Sequence, residues 1–314
     1  MRRITMKILV LGAGAVGLSV AAKLSPVCDV HAVCRQKTAE AIRKHGFQLT
    51  GIWGNGSFAF SASAGIPPAS RYDYIIITAK SRDTETLCRE YATYIRDTET
   101  VSLQNGIGNE EIISQYTDRV IGGMIITGFE WRGDNAVHVS VEAGPAKLGR
   151  FPAGLDYPVQ KLLEIMAEAG IPAVGTADVR AELWGKTLYN CALNPLGAVM
   201  GVPYGELIQP AAWRIITGIV REGFSVIHAE GIRLQWESAD QYLRFLHDVQ
   251  LPATALHHSS MLQDLARGRP TEIDFLNGAI VAKGSEYGIP TPFNACITDL
   301  VKFRESLTNQ RGST

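Results

Sequence analysis

Cysteine is scarce in this 314-residue chain, and its placement excludes two common uses. The five residues, Cys28, Cys34, Cys88, Cys191 and Cys296, are odd in number, widely spaced and free of any CxxC pair. Neither a disulfide framework nor a zinc site fits that pattern, so reduced, mostly buried thiols are expected. Charge of one sign is also missing: 30 Lys and Arg stand against 31 Asp and Glu, a formal net charge of −1, and no basic run occurs. A nucleic-acid surface and a basic membrane-surface helix are thereby excluded, leaving a small molecule as the expected partner. No apolar run approaches the roughly 20 residues that span a bilayer. Arg2 and Arg3 are followed by Lys7 and a glycine-rich turn, which interrupts any signal-peptide core and makes the cytoplasm the expected location, with Met6 an alternative start to Met1. Repeats and low-complexity segments are absent too. With 46% hydrophobic and 19% charged residues the composition is that of a globular chain, not a disordered one.

What is present first is length, which exceeds the size at which a single core usually keeps growing, so two domains are expected. The first half alternates Ile/Val-rich strands with helical patterns: strands at 7–11, 29–34, 74–79, 100–103 and 120–126, helices at 15–24, 38–44, 83–95 and 110–116. That order predicts a doubly wound parallel sheet. Between the second helix and Tyr74, the Gly51, Gly54, Asn55-Gly56, Pro67 and Pro68 punctuation with alternation around Phe58 and Phe60 predicts a hairpin. A second hairpin is predicted over 136–149 and a helix over 157–169. From about Ala177 the strand signal vanishes and helical patterns run to the end. The expected division is therefore an α/β domain over 1–176 and an all-helical domain over 177–314.

The first strand leads into Gly12, Ala13, Gly14, Ala15, Val16 and Gly17, a GxGxxG spacing set between strand and helix. The first glycine allows a tight turn, the second a close approach of backbone to a pyrophosphate, and the third close helix–strand packing, with the helix N-terminus facing the anion. A dinucleotide site is the expectation, although glycines also make ordinary turns. At the end of the second strand, where an acidic residue would hold a ribose 2′-hydroxyl, stands Arg35, whose planar fork suits a 2′-phosphate. NADP(H) is favoured over NAD(H), the alternative being a solvated surface arginine. Lys80 and Asn105-Gly106 follow later strands and fall on the same carboxyl rim, where doubly wound sheets bind ligands. Taken alone, Lys80 reads equally as a loop lysine and Asn105-Gly106 as a turn.

In the second half Lys186, Asn190 and Asn194 recur every four residues on one helical stripe, with Trp184, Leu188, Cys191 and Ala192 opposite. Asparagines are poor helix formers, so two of them beside one lysine indicate fixed hydrogen-bonding duties better than a solvated face. Pro195 is expected to end or kink this helix. Thr271 and Asp274 have capping-box spacing, which puts Glu272 in a first helical turn, where it could serve stability alone.

The motifs Gly12-Ala-Gly-Ala-Val-Gly17, Leu103-Gln-Asn-Gly-Ile-Gly-Asn109, Lys186-Thr-Leu-Tyr-Asn-Cys-Ala-Leu-Asn-Pro195, Ser259-Ser-Met-Leu-Gln-Asp264 and Thr271-Glu-Ile-Asp274, in that order, make the chain resemble the ketopantoate reductases along nearly its whole length. The resemblance implies a Rossmann-like domain joined to an all-helical one, and an NADPH-dependent reduction of 2-dehydropantoate to pantoate on the route to pantothenate and coenzyme A. It implies that Lys186 is the catalytic acid and Glu272 its partner, and that Asn105, Asn190, Asn194 and Ser260 line the substrate. Arg35, Lys80, Asn105 and Glu272 would border the cofactor along with the glycine turn. The chain departs from the family at His257, where an asparagine is frequent. Another small 2-oxo or 3-hydroxy acid is the alternative substrate, and a non-catalytic nucleotide sensor the alternative class, which would need neither Lys186 nor Glu272. Oligomeric state is open, a homodimer included.

Overall fold

The computed structural model describes residues 6–65 and 71–311. Arg2, Arg3, Pro67 and Pro68 lie outside the described residues. The chain forms two compact units, one of Met1–Gln104 with Asn109–Arg180, the other of Asn105–Gly108 with Ala181–Thr314.

The first unit follows the alternating pattern of its sequence. Strands β1 (Lys7–Leu11), β2 (Asp29–Val33), β3 (Phe47–Gly51), β4 (Gly56–Phe58), β5 (Ser61–Ser63), β6 (Tyr74–Ile77), β7 (Glu99–Ser102), β8 (Val120–Met124), β9 (Thr127–Gly133), β10 (Ala136–Glu142), β11 (Ala146–Arg150) and β12 (Ala173–Gly175) are interleaved with helices α1 (Ala15–Leu24), α2 (Gln36–His45), α3 (Thr84–Glu90), α4 (Ala92–Ile95), α5 (Asn109–Ile113) and α6 (Tyr157–Glu168). Eight strands make the main sheet in the order β12-β11-β8-β7-β6-β1-β2-β5. From β5 to β8 every pairing is parallel. Strand order turns back between β1 and β6, the doubly wound arrangement expected of a Rossmann-like fold and the place where such sheets bind ligands. The run Tyr74–Ile77 is buried throughout, as a strand covered by helices on both faces must be.

Two local readings need correction. The hairpin at β3 and β4 forms, but β10 pairs antiparallel with the preceding β9, not with residues up to 149. Gly144, at φ +150°, breaks the ladder after Glu142, and β11 departs to pair antiparallel with β8. The helix expected over 83–95 is split at Tyr91, which is fully buried.

Among the described residues the second unit contains no strand. Its helices are α7 (Val179–Met200), α8 (Pro210–Ala229), α9 (Ala239–Phe245), α10 (Leu251–Ala253), α11 (Ser260–Ala266), α12 (Asn277–Glu286) and α13 (Pro292–Arg311). No helix among the described residues is long and apolar enough to cross a membrane. Four cysteines are buried and Cys296 is exposed, all unpaired.

Pro195 does not end its helix: α7 runs on to Met200 with the proline inside it. A mid-helix proline leaves the carbonyl four residues back without its donor, here that of buried Cys191. Asn277 Nδ2 donates to that oxygen at 3.2 Å, and also to Asn294 Oδ1 at 2.9 Å. Asn294 in turn donates to the Ile219 carbonyl at 3.2 Å and Glu222 Oε2 at 2.7 Å. A buried amide thus replaces the missing backbone N–H and ties α7, α12, α13 and α8 together. Stranding a buried carbonyl costs about 1–3 kcal/mol, so Asn277→Ala should destabilise the chain by that order in denaturant titrations. Pro195→Ala restores an N–H at that step, and the Asn277→Ala cost should shrink in its background; fully additive costs would contradict the substitution.

Candidate active site

At the carboxyl end of β1 the glycine turn has the geometry its spacing predicts. Gly12 has φ +63°, and a Cβ there would meet the Ala79 Cβ at 2.3 Å and its backbone Cα at 2.8 Å. A Cβ on Gly17 would meet Thr78 Oγ1 at 2.2 Å, which is the close helix–strand packing of α1. Gly14 caps α1 without any side chain, and a Cβ there would meet nothing within 4 Å. The turn is therefore closed on its protein side and open at the helix N-terminus, where an anionic group is favoured. Arg35 is exposed at the N-cap of α2, just past β2. Lys80 precedes a 3-10 turn, Ser81–Asp83, beyond β6. Behind this rim, buried Gln104 and Asn109 are fixed by Thr84: Gln104 Nε2 donates to Thr84 Oγ1 at 2.7 Å and Thr84 Oγ1 donates to Asn109 Oδ1 at 2.8 Å.

The second unit brings three of the expected residues into contact. Lys186 Nζ donates to Asn105 Oδ1 at 2.7 Å, and Asn105 Nδ2 donates to Glu272 Oε2 at 3.3 Å. Asn105 is held by its own turn, where Gly106 at φ +82° lies against the Phe275 carbonyl, too close for any Cβ, and Ile107 N donates to that same oxygen at 3.1 Å. Burial lowers the pKa of Lys186 from 10.5 to about 8, with the Glu272 carboxylate acting in the opposite direction. Some of the Lys186 surface still reaches solvent. The result is an ammonium poised to release its proton near neutral pH and aimed by an amide.

Glu272 arrives there differently from the expected capping box. Only a 3-10 turn, Ile273–Phe275, follows it, and α12 starts at Asn277. Thr271 Oγ1 accepts from Ile273 N at 3.3 Å, while Asp274 pairs with Lys302 at 2.6 Å. No macrodipole of a full helix holds the Glu272 charge, so its placement rests on flanking contacts, among them Thr271 N donating to Glu305 Oε1 at 2.6 Å.

Along α7, Trp184, Leu188, Cys191 and Ala192 are buried as the stripe predicts, and Asn190 is half-buried on the Lys186 side. Asn194 is buried and fixed at both ends: Tyr204 Oη donates to its Oδ1 at 2.5 Å, and Ser259 Oγ donates to its backbone carbonyl at 3.2 Å. With Oδ1 engaged, its Nδ2 is the group it can offer a ligand. Ser260 is exposed, and the deeply buried neighbour is Ser259, whose hydroxyl also accepts from Leu262 N to cap α11. His257 lies with its ring 5.3 Å from that of Tyr204. Sequence reasoning missed Tyr204 and Ser259. Ser259 carried a usable signal, a serine immediately before a helical apolar pattern, whereas Tyr204 carried none.

The family model described as ketopantoate reductase PanE/ApbA matches residues 8–153, and the model of its C-terminal part matches residues 178–305. The 2-dehydropantoate 2-reductase of Pyrococcus horikoshii is 34% identical over 96% of this chain and 98% of its own length. This chain belongs to the ketopantoate reductase family. The Archaeoglobus fulgidus relative, also a 2-dehydropantoate 2-reductase, is 33% identical over 96% of this chain and 98% of its own. Among solved structures, a family ketopantoate reductase from Ralstonia eutropha JMP134 superposes with a TM-score of 0.88 at 28% identity, covering 97% of this chain and 100% of that one. D-mandelate dehydrogenase with NADH and anilino(oxo)acetate superposes with a TM-score of 0.86 at 27% identity, over 97% and 100% of the two chains.

Glu272 raises the Lys186 pKa against the lowering by burial. Neutralising it in Glu272→Gln should therefore move the Lys186 ammonium below its native pKa of about 8 in an NMR titration of Nζ. An unchanged or raised value would show that the carboxylate is electrostatically idle.

Proposed function

We propose that this enzyme reduces 2-dehydropantoate to pantoate with NADPH in the cytoplasm, supplying pantothenate and coenzyme A synthesis. The observation that carries the reading is the chain of contacts Lys186–Asn105–Glu272 in a member of the ketopantoate reductase family. A nicotinamide cofactor fits the first unit through the glycine turn, and when bound it supplies the hydride. Gly12, Ala13, Gly14, Ala15, Val16 and Gly17 would hold the pyrophosphate, Arg35 the 2′-phosphate, and Lys80, Asn105 and Glu272 the remainder. On this reading the 1–176 region carries the cofactor and the 177–314 region the substrate chemistry.

The protein's own work is to receive negative charge on the keto oxygen and to protonate it. Lys186 Nζ does both: the charged form attracts the developing alkoxide, and a pKa near 8 makes the proton easy to give. Asn105 fixes its direction, and Glu272 favours its protonated form. Asn190, the Nδ2 of Asn194 and Ser260 would serve as hydrogen-bond partners for the carboxylate and hydroxyl of ketopantoate. Holding that acid in one orientation converts binding energy into rate.

A second reading, a different 2-oxo acid as substrate, is favoured by the His257 ring against Tyr204, which puts aromatic surface where the family often has an asparagine. A steady-state panel of 2-oxo acids with NADPH and NADH separates the two. The first reading expects ketopantoate and NADPH to be preferred, Arg35→Ala to weaken NADPH far more than NADH, and Lys186→Ala to lower kcat by about 10²–10⁴ with the fold intact. Equal use of both cofactors would refute the Arg35 assignment, and near-normal turnover of Lys186→Ala would refute the mechanism.

A further inference from the structure

Asn105 opens a short turn, Asn105–Gly108, in which Gly106 and Gly108 take φ of +82° and +96°, a backbone path that favours glycine. The residues at its two roots, Gln104 and Asn109, are buried, and one hydroxyl holds both. Gln104 Nε2 donates to Thr84 Oγ1 at 2.7 Å, Thr84 Oγ1 donates to Asn109 Oδ1 at 2.8 Å, and Asn109 Nδ2 donates to Ser81 Oγ at 3.2 Å.

A threonine hydroxyl has a single proton to give, so the direction of this chain must be set by a group with a fixed role. The Ala79 carbonyl is that group, since it can only accept. Gln104 Nε2 donates to it at 3.1 Å, which settles which end of the amide faces Thr84. Thr84 therefore accepts from Gln104 and gives its own proton to Asn109. Neither root can rotate without leaving a buried polar atom unpaired. Thr84 is itself fully buried at the first position of α3, and the branch at its Cβ restricts χ1. To fill that space a valine of nearly the same shape would serve. What the hydroxyl adds is a fixed spacing and orientation of the two roots.

We propose that Thr84 is a positioning residue for the reaction: by clasping Gln104 and Asn109 it sets the shape of the turn that carries Asn105, and so the direction in which Asn105 Oδ1 meets the Lys186 ammonium. The proposal rests on Lys186 being the proton donor. Such a donor must be held within about 0.5 Å of its productive place, and groups behind the reacting ones supply that precision.

Two readouts test it, and the first needs no substrate. A hydrogen bond to Asn105 favours the charged lysine. Thr84→Val should therefore lower the Lys186 pKa, followed by NMR of Nζ in the free enzyme, from about 8 by about one pH unit. Asn105→Ala should lower it at least as far, and Thr84→Ser should return it to the native value. Ser81→Ala removes only the last acceptor of the chain and should shift it the same way by less, which keeps the test open if the valine variant does not fold. In turnover with ketopantoate and NADPH, Thr84→Val should lower kcat by roughly tenfold. Thr84→Ser should restore kcat, and Thr84→Val added to Asn105→Ala should cost nothing further. A purely structural threonine would lower the melting temperature and leave both pKa and kcat native. That result, a full cost of Thr84→Val in the Asn105→Ala background, or no rescue by serine would each overturn the proposal. A native chain that turns over no 2-oxo acid would instead refute the reductase reading, while the pKa series would still decide whether Thr84 directs Asn105.

Discussion

A lysine ammonium inside a protein is held in place only if something else in the interior accepts its protons. In this chain one such acceptor is an amide: Asn105 presents its oxygen to Lys186 and its nitrogen to Glu272, so one side chain contacts both charged partners and cannot turn without losing both contacts. Burial pulls the lysine pKa down and the carboxylate pulls it up, leaving it at about 8. Nearby features of the second unit are arranged around this contact. Gly106 allows the turn that delivers Asn105 against the Phe275 carbonyl, and α13 fixes the segment bearing Glu272 from both sides. The two effects oppose each other and burial outweighs the carboxylate, which brings the ammonium toward the range where acid chemistry near neutral pH becomes accessible.

Helix α7 is the second constraint. To carry Lys186, Asn190 and Asn194 on one stripe it must stay helical through Pro195, and a proline there removes a backbone donor from a buried step. The Asn277 amide restores it, and the same asparagine network reaches α8 and α13. The buried polar residues of the second unit are thus not spare polarity in an apolar core. They satisfy groups that a helix continued through Pro195 leaves open.

Much of this was legible in the residues alone. The alternation of Ile/Val strands with helices, the glycine spacing after β1, and the four-residue recurrence of Lys186, Asn190 and Asn194 are local patterns, and local patterns fix element type and facing. What was not legible depended on contacts distant in sequence. Nothing around Asn105 shows that Asn105–Gly108 belongs with the second unit, because that depends on Phe275, far along the chain. The continuation of α7 past Pro195 depends on Asn277, equally remote. Thr271 and Asp274 have the spacing of a capping box, yet Asp274 is engaged by Lys302 and the helix begins only at Asn277, so the local rule does not hold there. Tyr204 fixes Asn194 from a short 3-10 turn that carries no periodic signal.

The central claim is that buried Lys186, with its pKa lowered to about 8, gives up the proton in the reductive direction. If Lys186 is the proton donor as proposed, its protonated form is the active one, so activity is full below that pKa and declines as pH rises through it. The most direct test is the pH dependence of single-turnover NADPH oxidation with saturating ketopantoate, followed from pH 6 to pH 10. The account predicts a plateau at low pH and a tenfold fall per pH unit above about pH 8. A rate that stays level to pH 10, or that rises with pH, would contradict it.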